Sequence, residues 1–308
     1  MEHGDANAPV IRKAHFECAV RIDASVELDS GRLDIQLDDS ADGAEVAVQV
    51  RADPPTQPPW TAGIAGLLNW LGEQAGSSSP GELAAEAVRR TVIDFTGQRL
   101  TVRSPREFPL RAVPLTIHIN APSGSSITAR SGSADITVDG VTDRLDASTG
   151  SGQVRAQRCT GATDIRTGSG DVRLGSVLGS LRVRTGSGEV DVTSIEHAAG
   201  ARSGTATVQT GSGDVRLGAV THDMSARTGS GDLTVVDASA GGLELTTGSG
   251  QLRVGIHPGV RAELDVSSGS GHARSDLPVG GPPAEGVVPL RVRARTGSGD
   301  ALVTAAPS

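Results

Sequence analysis

The stretch RTGSGDVRLGSVLGSLRVRTGSGEV, which runs from Arg166 to Val190, contains the same short motif twice. The sequence Thr-Gly-Ser-Gly begins at Thr167 and again at Thr185, and the residues between the two copies alternate between apolar and polar. Such a motif fits a catalytic loop, a ligand cradle or a structural corner. The spacing of its other copies decides between these possibilities.

The middle serine of the motif recurs along the second half of the chain. Its copies are Ser133, Ser151, Ser169, Ser187, Ser212, Ser230, Ser249, Ser270 and Ser298. The first four are each 18 residues apart, and the later intervals of 25, 18, 19, 21 and 28 residues are this unit with or without a polar, small or Pro-rich insertion. A period of this length is typical of a solenoid, in which each repeat buries its apolar face only by stacking on its neighbours.

The residues on both sides of the motif follow the period of a β-strand. Apolar and polar residues alternate from Asp171 to Leu174 after the motif, and Leu181 and Val183 continue the alternation before the next copy. A three-sided helix would need an aliphatic residue at every sixth position, and this rule fails at Arg184. The sequence therefore predicts a mainly β protein, a parallel, single-stranded β-helix-like β-solenoid with two faces. Its rungs are about 18 residues long, and nine of them would span about 40 Å.

The composition limits how the core is built. The chain has 308 residues, of which 36% are hydrophobic and 21% charged, as expected for a folded domain. Only 2% are aromatic and none follows Phe108, so the repeats need a core of Val, Leu, Ile and Ala. Cys18 and Cys159 each lie in an apolar alternation, and we expect both to be small core residues.

Charge and hydropathy argue against two classes of partner. The net charge is −8 and Lys13 is the only lysine, which disfavours nucleic acid. No apolar run approaches the roughly 18 residues of a membrane helix, and the first residues have no apolar signal-peptide core. We expect no integral membrane segment and a cytoplasmic location, with a surface location as the alternative.

The pattern divides one continuous domain into regions. We expect a flexible N-terminus at 1–13, an N-terminal β region at 14–125 and solenoid repeats at 126–306. The β region has three alternating apolar sets that predict strands: Phe16, Cys18, Val20 and Ile22; Leu33, Ile35 and Leu37; and Val46, Val48 and Val50.

A helical hairpin is predicted as an insertion at about 61–97 of this β region. Its first helix, GIAGLLNWLGEQAG, has apolar residues at helical spacing, and its second, SPGELAAEAVRRTVIDF, starts with a capping box formed by Ser79, Pro80 and Glu82. Its apolar residues Ile64, Leu67, Leu71, Val88 and Val92 would cap the solenoid or pack on the first rungs, or form a groove for a partner.

The glycine-rich motif does not fit a nucleotide site or a hydrolase. A phosphate-binding loop would need Gly-Lys-Ser/Thr, and a nucleophile elbow would need Gly-x-Ser-x-Gly between a strand and a helix. We interpret the motif as a corner, in which glycine allows close approach of rungs and small hydroxyl groups bind the backbone or each other. The sequence predicts no catalytic, cofactor-binding or metal-binding residues and no cofactor.

An acidic column follows the second glycine of the motif. It consists of Asp171, Glu189, Asp214, Asp232 and Asp300, interrupted by Gln153, Gln251 and His272. Its neighbours Arg166, Arg173, Arg184, Arg216 and Arg227 predict a charge-balanced outer ladder. Calcium is the alternative, although the acid comes one residue too early for the repeats-in-toxin pattern.

A glycan-active β-helix enzyme is a weaker interpretation. Sugar sites usually contain aromatic residues, and residues 109–308 have none. The histidines of this region, His118, His197, His222, His257 and His272, are scattered along the chain, and we expect each to be a surface or turn residue.

The repeats and their lead-in, IHINAPSGSSITARSGSADITVDG, resemble the bacterial putative-adhesin family, also described as toast-rack β-strand-repeat domains of unknown function. In that family a Pro-Ser-Gly sequence, here Pro122-Ser123-Gly124, precedes repeated Ser-Gly-Ser-Gly-Asp-Val corners. The resemblance covers roughly residues 14–306. It implies a β-solenoid without established enzymatic activity or catalytic residues, and some relatives are joined to membrane segments in cell-envelope stress regulators.

These observations favour a non-enzymatic structural or protein-interaction module that acts as a scaffold or assembly unit. Its expected partner is another protein or a second copy, bound through the ends or a face of the solenoid. A regulatory or sensing domain in a cell-envelope stress pathway is the alternative, and a glycan-active enzyme comes third. The sequence indicates no small-molecule ligand.

Overall fold

Parallel strands dominate the protein, whose structure is a computed structural model describing residues 10–18, 20–38, 45–53, 80–196, 205–278 and 288–307. One helix, α1 (Pro80–Arg90), and one 3-10 turn, Leu110–Ala112, accompany 24 strands in this part of the chain. The strands are β1 (Ile11–Glu17), β2 (Asp23–Leu28), β3 (Gly31–Asp38), β4 (Glu45–Ala52), β5 (Val92–Thr96), β6 (Arg99–Arg103), β7 (Leu115–Pro122), β8 (Ser125–Ser131), β9 (Asp135–Thr149), β10 (Val154–Cys159), β11 (Thr163–Thr167), β12 (Val172–Val177), β13 (Leu181–Thr185), β14 (Val190–Ile195), β15 (Ala206–Thr210), β16 (Val215–Val220), β17 (Met224–Thr228), β18 (Leu233–Ala238), β19 (Gly241–Ser249), β20 (Leu252–Ile256), β21 (Ala262–Ser268), β22 (Ala273–Ser275), β23 (Leu290–Ser298) and β24 (Ala301–Ala305).

Each repeat contributes one strand to each of two parallel stacks, as the sequence predicts. Val154 pairs with Val172, which pairs with Val190, so neighbouring rungs stack in register with the 18-residue period. The outgoing stack has the spatial order β1-β4-β7-β3-β9-β10-β12-β14-β16-β18-β20-β24-β22. The returning stack has the order β5-β6-β2-β8-β9-β11-β13-β15-β17-β19-β23-β21. The predicted two-faced β-solenoid is confirmed.

The core lies between the two stacks and consists of small aliphatic side chains. Val172, Leu174, Leu181 and Val183 are all at most 3% exposed, while Arg173 and Arg182, which alternate with them, are exposed. Both cysteines are buried, and burial raises the pKa of the Cys159 thiol. The strand predicted through Phe16, Cys18, Val20 and Ile22 is shorter than expected: β1 ends at Glu17, and Val20 is 49% exposed.

The corner between the stacks is held by a buried threonine hydroxyl. Thr228 Oγ1 accepts a hydrogen bond from the amide of Gly231 at 3.1 Å and donates one to the carbonyl oxygen of Gly213 at 3.0 Å. The first bond closes the turn, and the second joins it to the preceding rung. The residues that bind a glycine amide in this way are Thr149, Thr167, Thr185, Thr210, Thr228 and Ser268.

The second glycine of the motif is required by the distance between rungs. A Cβ atom on Gly231 would lie 2.1 Å from the carbonyl oxygen of Gly213, far inside van der Waals contact. The middle serine, such as Ser230, is exposed at the corner. The motif is therefore a corner, as predicted, and its threonine and second glycine have the strictest structural roles.

Strand order departs from chain order at the C-terminal end of the solenoid. The last two strands, β23 and β24, lie between the β19–β20 rung and the β21–β22 rung. The repeat at Ser298 is thus penultimate in space, and the repeat at Ser270 is outermost. Repeat spacing alone gives no sign of this exchange.

The N-terminal end has the same arrangement. Strands β2 and β3, which come early in the chain, lie between the outer pair β6–β7 and the inner pair β8–β9. Strands β2 and β3, like β23 and β24, therefore pair on both sides with strands from other parts of the chain. At the C-terminal end the outermost strands, β21 and β22, are internal chain segments, so their fraying does not release the chain end. At the N-terminal end the first strand, β1, is itself outermost on the outgoing stack.

Charge complementarity favours the exchanged order at the C-terminal end. Arg293 of β23 lies opposite Glu244 of β19 and Asp265 of β21, with nitrogen–oxygen distances of 3.8 and 3.2 Å. If β21 followed β19 directly in the same register, the two carboxylates would be opposite each other. Like charges opposite one another destabilise a sheet, so this order would be disfavoured.

An inverted charge pattern occurs at the other end. Glu27 of β2 lies opposite Arg103 of β6 and Arg130 of β8, and its carboxylate also contacts Arg106. Without β2 between them, the two strand arginines would be neighbours. An acidic strand thus separates two basic ones here, whereas a basic strand separates two acidic ones at the C-terminal end.

The N-terminal end of the core is covered. The rings of Phe16 on β1 and Phe95 on β5 stack with centroids 4.9 Å apart, one from each stack. Helix α1 packs against β1 and β4 and buries Ala87 and Val88 completely. For this helix, the predicted packing on the first strands is confirmed.

The helical insertion differs from its predicted extent. Helix α1 ends at Arg90, and the following residues form β5, which pairs antiparallel with β6, so Val92 is 52% exposed on a strand. The β-branched and aromatic residues of 92–96 favour this strand. The first predicted helix and its residues Ile64, Leu67 and Leu71, and the cap Ser79, lie outside the described residues. Strand β1 begins at Ile11, within the 1–13 predicted to be flexible.

Helix α1 has 11 residues, fewer than the roughly 18 that a membrane-spanning helix needs. No helix in the described ranges is long and apolar enough to cross a membrane.

We predict that Arg293→Glu lowers the free energy of unfolding by about 1–2 kcal/mol, because it replaces two favourable cross-strand pairs with repulsion. Urea unfolding followed by circular dichroism measures the change. Arg184→Glu is the matched control, since its neighbours across the sheet are Arg166 and Gln209. The triple variant Arg293→Glu/Glu244→Arg/Asp265→Arg should recover most of the loss, and failure to recover it would contradict the charge argument.

We predict that Thr228→Val lowers the free energy of unfolding by about 1–3 kcal/mol, because it leaves the Gly231 amide and the Gly213 carbonyl without their partner. Thr228→Ser, which keeps the hydroxyl, should lose less. Ser230→Ala is the control and should change stability by less than about 0.5 kcal/mol. Equal losses in the Val and Ser variants would show that packing, rather than the hydrogen bonds, is responsible.

Candidate interaction surface

In-register stacking arranges the outward side chains in columns that run along the solenoid. On the returning stack, the column next to the corner contains five arginines, and we call it the arginine column. From β8 to β21 its members are Arg130, Ser148, Arg166, Arg184, Gln209, Arg227, Thr246, Arg295 and Ser267. No acid interrupts these nine positions, although the whole chain has a net charge of −8.

The next column on the same face carries both signs of charge, and we call it the mixed column. It contains Thr128, Asp146, Asp164, Arg182, Thr207, Ser225, Glu244, Arg293 and Asp265. The two columns together hold seven arginines and four acids, a difference of three positive charges. The returning face is therefore basic on an acidic protein.

The arginines of this column differ in how closely they approach a carboxylate. Arg166 lies 2.8 Å from Asp164, whereas Arg227 is 3.9 Å from Glu244 and Arg295 is 3.4 Å from Asp265. Arg130 and Arg184 make no ion pair with any residue of the described ranges. Because each guanidinium has five N–H donors, most donors of the column face solvent.

A groove of about 580 Å³ lies on the returning face towards its C-terminal end. Small polar residues such as Thr207 and Ser225 line it, together with the charged residues Glu244, Asp265 and Arg293. The ion pairs that hold the exchanged strand β23 in place therefore also shape this groove.

The acidic column lies on the other side of the corner, and its aspartates bind backbone rather than solvent alone. Asp214 Oδ1 accepts a hydrogen bond of 2.8 Å from the amide of Asp232, the equivalent residue of the next rung. Asp135, Asp171, Asp232 and Asp300 make the same kind of bond to the next rung in space, over 2.8–3.1 Å. An aspartate at this position therefore links two rungs.

The predicted charge balance of the acidic column is correct only in part. Arg173 lies 3.3 Å from Asp171, as expected. Arg166, Arg184 and Arg227 instead belong to the arginine column, beyond the corner. The reason is that the motif itself makes the turn, so residues on its two sides point to different faces. In the described residues, no three His, Cys, Asp or Glu side chains are grouped as metal ligands.

The histidines are dispersed along the outgoing stack and its turns. His118 lies 3.4 Å from Asp34, His257 lies 3.0 Å from Asp237 and His272 lies 3.5 Å from Asp300, each pair joining neighbouring strands or turns. His222 is in a turn, as predicted, but is only 3% exposed. His197 lies outside the described residues.

Sequence reasoning missed both the arginine column and the aspartate bonds. The signal for the column was present, since arginine precedes the threonine of the motif at Arg166, Arg184, Arg227 and Arg295. Its meaning depends on which side chains share a face, which follows only from the register of the strands.

We predict that Asp300→Asn weakens the acid sensitivity of folding. The amide of His272 donates to Asp300, and this bond, helped by the nearby His272 and Arg274 charges, lowers the pKa of the carboxyl. Since the folded-state pKa lies below the unfolded value, the carboxylate stabilises the fold above about pH 4, and this contribution is lost as the pH falls further. When the pH is lowered from 7 to below about 4, the free energy of unfolding should therefore fall less in the variant than in wild type. Asp139→Asn, at an exposed site, is the control, and equal behaviour of both variants would contradict the prediction.

The chain is similar to a putative adhesin from Bacteroides fragilis (11% identity, 96% of each chain covered, TM-score 0.40). It is also similar to a putative lipid binding protein from Parabacteroides distasonis (12% identity, 95% of this chain and 96% of that chain covered, TM-score 0.42). No curated protein matches the chain significantly. The model of the Toastrack DUF4097 family matches residues 111–286, more than half of the chain. The protein therefore belongs to the Toastrack DUF4097 family.

Proposed function

We propose that this protein is a non-enzymatic interaction scaffold that binds a protein partner through the returning face of its solenoid. The observation that carries the proposal is the register-locked array of outward side chains, in which the arginine column runs beside the mixed column. Positions on this array are fixed at strand spacing, about 4.8 Å apart. A surface of this kind can present many weak contacts at once in a defined geometry.

Rigidity supports binding by such a face. Backbone hydrogen bonds join each inner rung to both neighbours, and the threonine hydroxyls add a second set at the corners. A preordered surface loses little conformational entropy when a partner binds, so more of the contact energy appears as affinity. The outward polar side chains can therefore bind a protein partner without a deep pocket.

The charges at the two ends favour a face over end-to-end assembly. The outermost returning strands are β21, which carries Glu263 and Asp265, and β5, which carries Asp94. The outermost outgoing strands are β22 with Arg274 and β1 with Lys13. Stacking copies head to tail would bring like charges together in both stacks, which opposes association.

The scaffold role predicts a face-specific interaction. Affinity capture from cells that produce the protein should recover a protein with wild type and lose it with Thr207→Glu/Ser225→Glu on the returning face. The matched control is Thr137→Glu/Thr234→Glu, which adds the same charges to the outgoing face at half-buried positions of the same kind. Light scattering after size-exclusion chromatography distinguishes binding of a different protein from self-association.

Two results would contradict the proposal: a monomer that captures nothing, or a captured protein that neither pair of substitutions releases. Turnover of a polysaccharide that Asp171→Ala or Asp214→Ala abolishes would contradict the non-enzymatic part. The cytoplasmic location and the role in envelope stress stay predictions, and cell fractionation and the neighbouring genes test them.

A further inference from the structure

The arginine column carries five arginines and no acid over nine strands, and it is the basic counterpart of the acidic column on the other side of the corner. On the outgoing face, the comparable column also carries five arginines, among them the adjacent Arg155 and Arg173, but it contains Asp191 and lies beside the acidic column. Three of those arginines, Arg155, Arg173 and Arg253, also bond to the side chain two residues earlier. The column on the returning face has no acid in it over nine strands.

We infer that the arginine column binds an extended, acidic segment of a partner protein. This inference rests on the proposed function and specifies the chemistry of its partner. Arginine is suited to carboxylates because its planar guanidinium donates two parallel hydrogen bonds to the two oxygens. The exposed side chains of Arg130 and Arg184, which lack an ion pair among the described residues, supply the least engaged donors.

The dimensions of the column set the length of the segment. From Arg130 to Arg295 the column crosses seven strand intervals, which is about 34 Å at 4.8 Å each. An extended chain covers about 3.3 Å per residue, so about ten residues span the column. The arginines lie one or two strands apart, at about 5 or 10 Å, so the matching carboxylates are spaced rather than contiguous.

Access to the column is open along one side. The arginines border the corner, where the exposed residues are glycine and serine, as at Gly168-Ser169 and Gly229-Ser230. Side chains this small leave the guanidinium groups accessible from the corner as well as from the face. A segment can therefore lie along the solenoid axis without displacing any core residue.

The neighbouring charges favour a protein segment over a continuous polyanion. The mixed column places Asp146, Asp164, Glu244 and Asp265 on the same face, each two residues before the arginine-column position of its strand. A nucleic acid backbone, with a charge at every phosphate, would face these carboxylates along its whole length. A segment with acids only every second or third residue avoids most of this repulsion.

The test uses the full chain and a fluorescein-labelled peptide of five Glu-Ser repeats, with fluorescence anisotropy at 50 mM salt. We expect saturable binding that weakens as salt increases, because exposed charge pairs are screened. The variant Arg166→Gln/Arg184→Gln/Arg227→Gln should weaken binding about tenfold or more. The matched variant Arg155→Gln/Arg173→Gln/Arg253→Gln removes three arginines from the outgoing face and should change it less than twofold.

Several results would overturn the inference. These are absence of binding at 50 mM salt, equal weakening by the two triple variants, or tighter binding of a ten-residue oligothymidylate or of vesicles containing 30% phosphatidylglycerol. Urea unfolding of each variant establishes that the fold is retained. If the peptide fails to bind while face-specific capture of a partner persists in the returning-face triple variant, the acidic segment is wrong and the scaffold proposal stands. If wild type captures no partner either, both are wrong.

Discussion

The fold depends on how closely one corner can approach the next. Parallel strands must lie within hydrogen-bonding distance, and the chain must turn between two stacks at each rung without pushing its neighbours apart. At Gly231 the neighbouring carbonyl oxygen occupies the space of a Cβ atom, and Thr228 binds both the turn and the preceding rung. A repeat of a threonine and a second glycine therefore keeps the rungs in register.

Stacking in register has an electrostatic consequence, because any charge on one rung lies opposite the equivalent residue of the next. Runs of arginine or of acid in one column would repel unless neutral or opposite residues separate them. At the two ends the protein satisfies this requirement by strand order: basic β23 separates acidic strands, and acidic β2 separates basic ones. The same order places the last two strands, β23 and β24, inside the stack, where fraying of the outer rung cannot free them.

The arginine column is not balanced by acids within the column, just as the acidic column contains no arginine. Its arginines are interrupted only by small or neutral residues, and the acids that offset them lie in the neighbouring column. Arg166 and Arg184 are adjacent, on strands β11 and β13, and of the two only Arg166 has an ion pair in the described residues, with Asp164. Like charges held side by side cost stability in the free protein, and this cost falls when an acidic partner binds. A surface that is mildly unfavourable alone and complementary to a partner is what a binding face requires.

The sequence alone determined the type of fold, the rung length and the role of the motif, because these depend on local period and on backbone geometry that every repeat shares. It also identified Val172, Leu174 and their equivalents as core, since burial follows strand alternation. It did not determine the strand order at the ends, the strand at 92–96 or the function of the aspartates. These depend on which distant segments become neighbours. The arginine column belongs to the same class: each arginine is visible in the sequence, but only the register of the tertiary structure brings them onto one face.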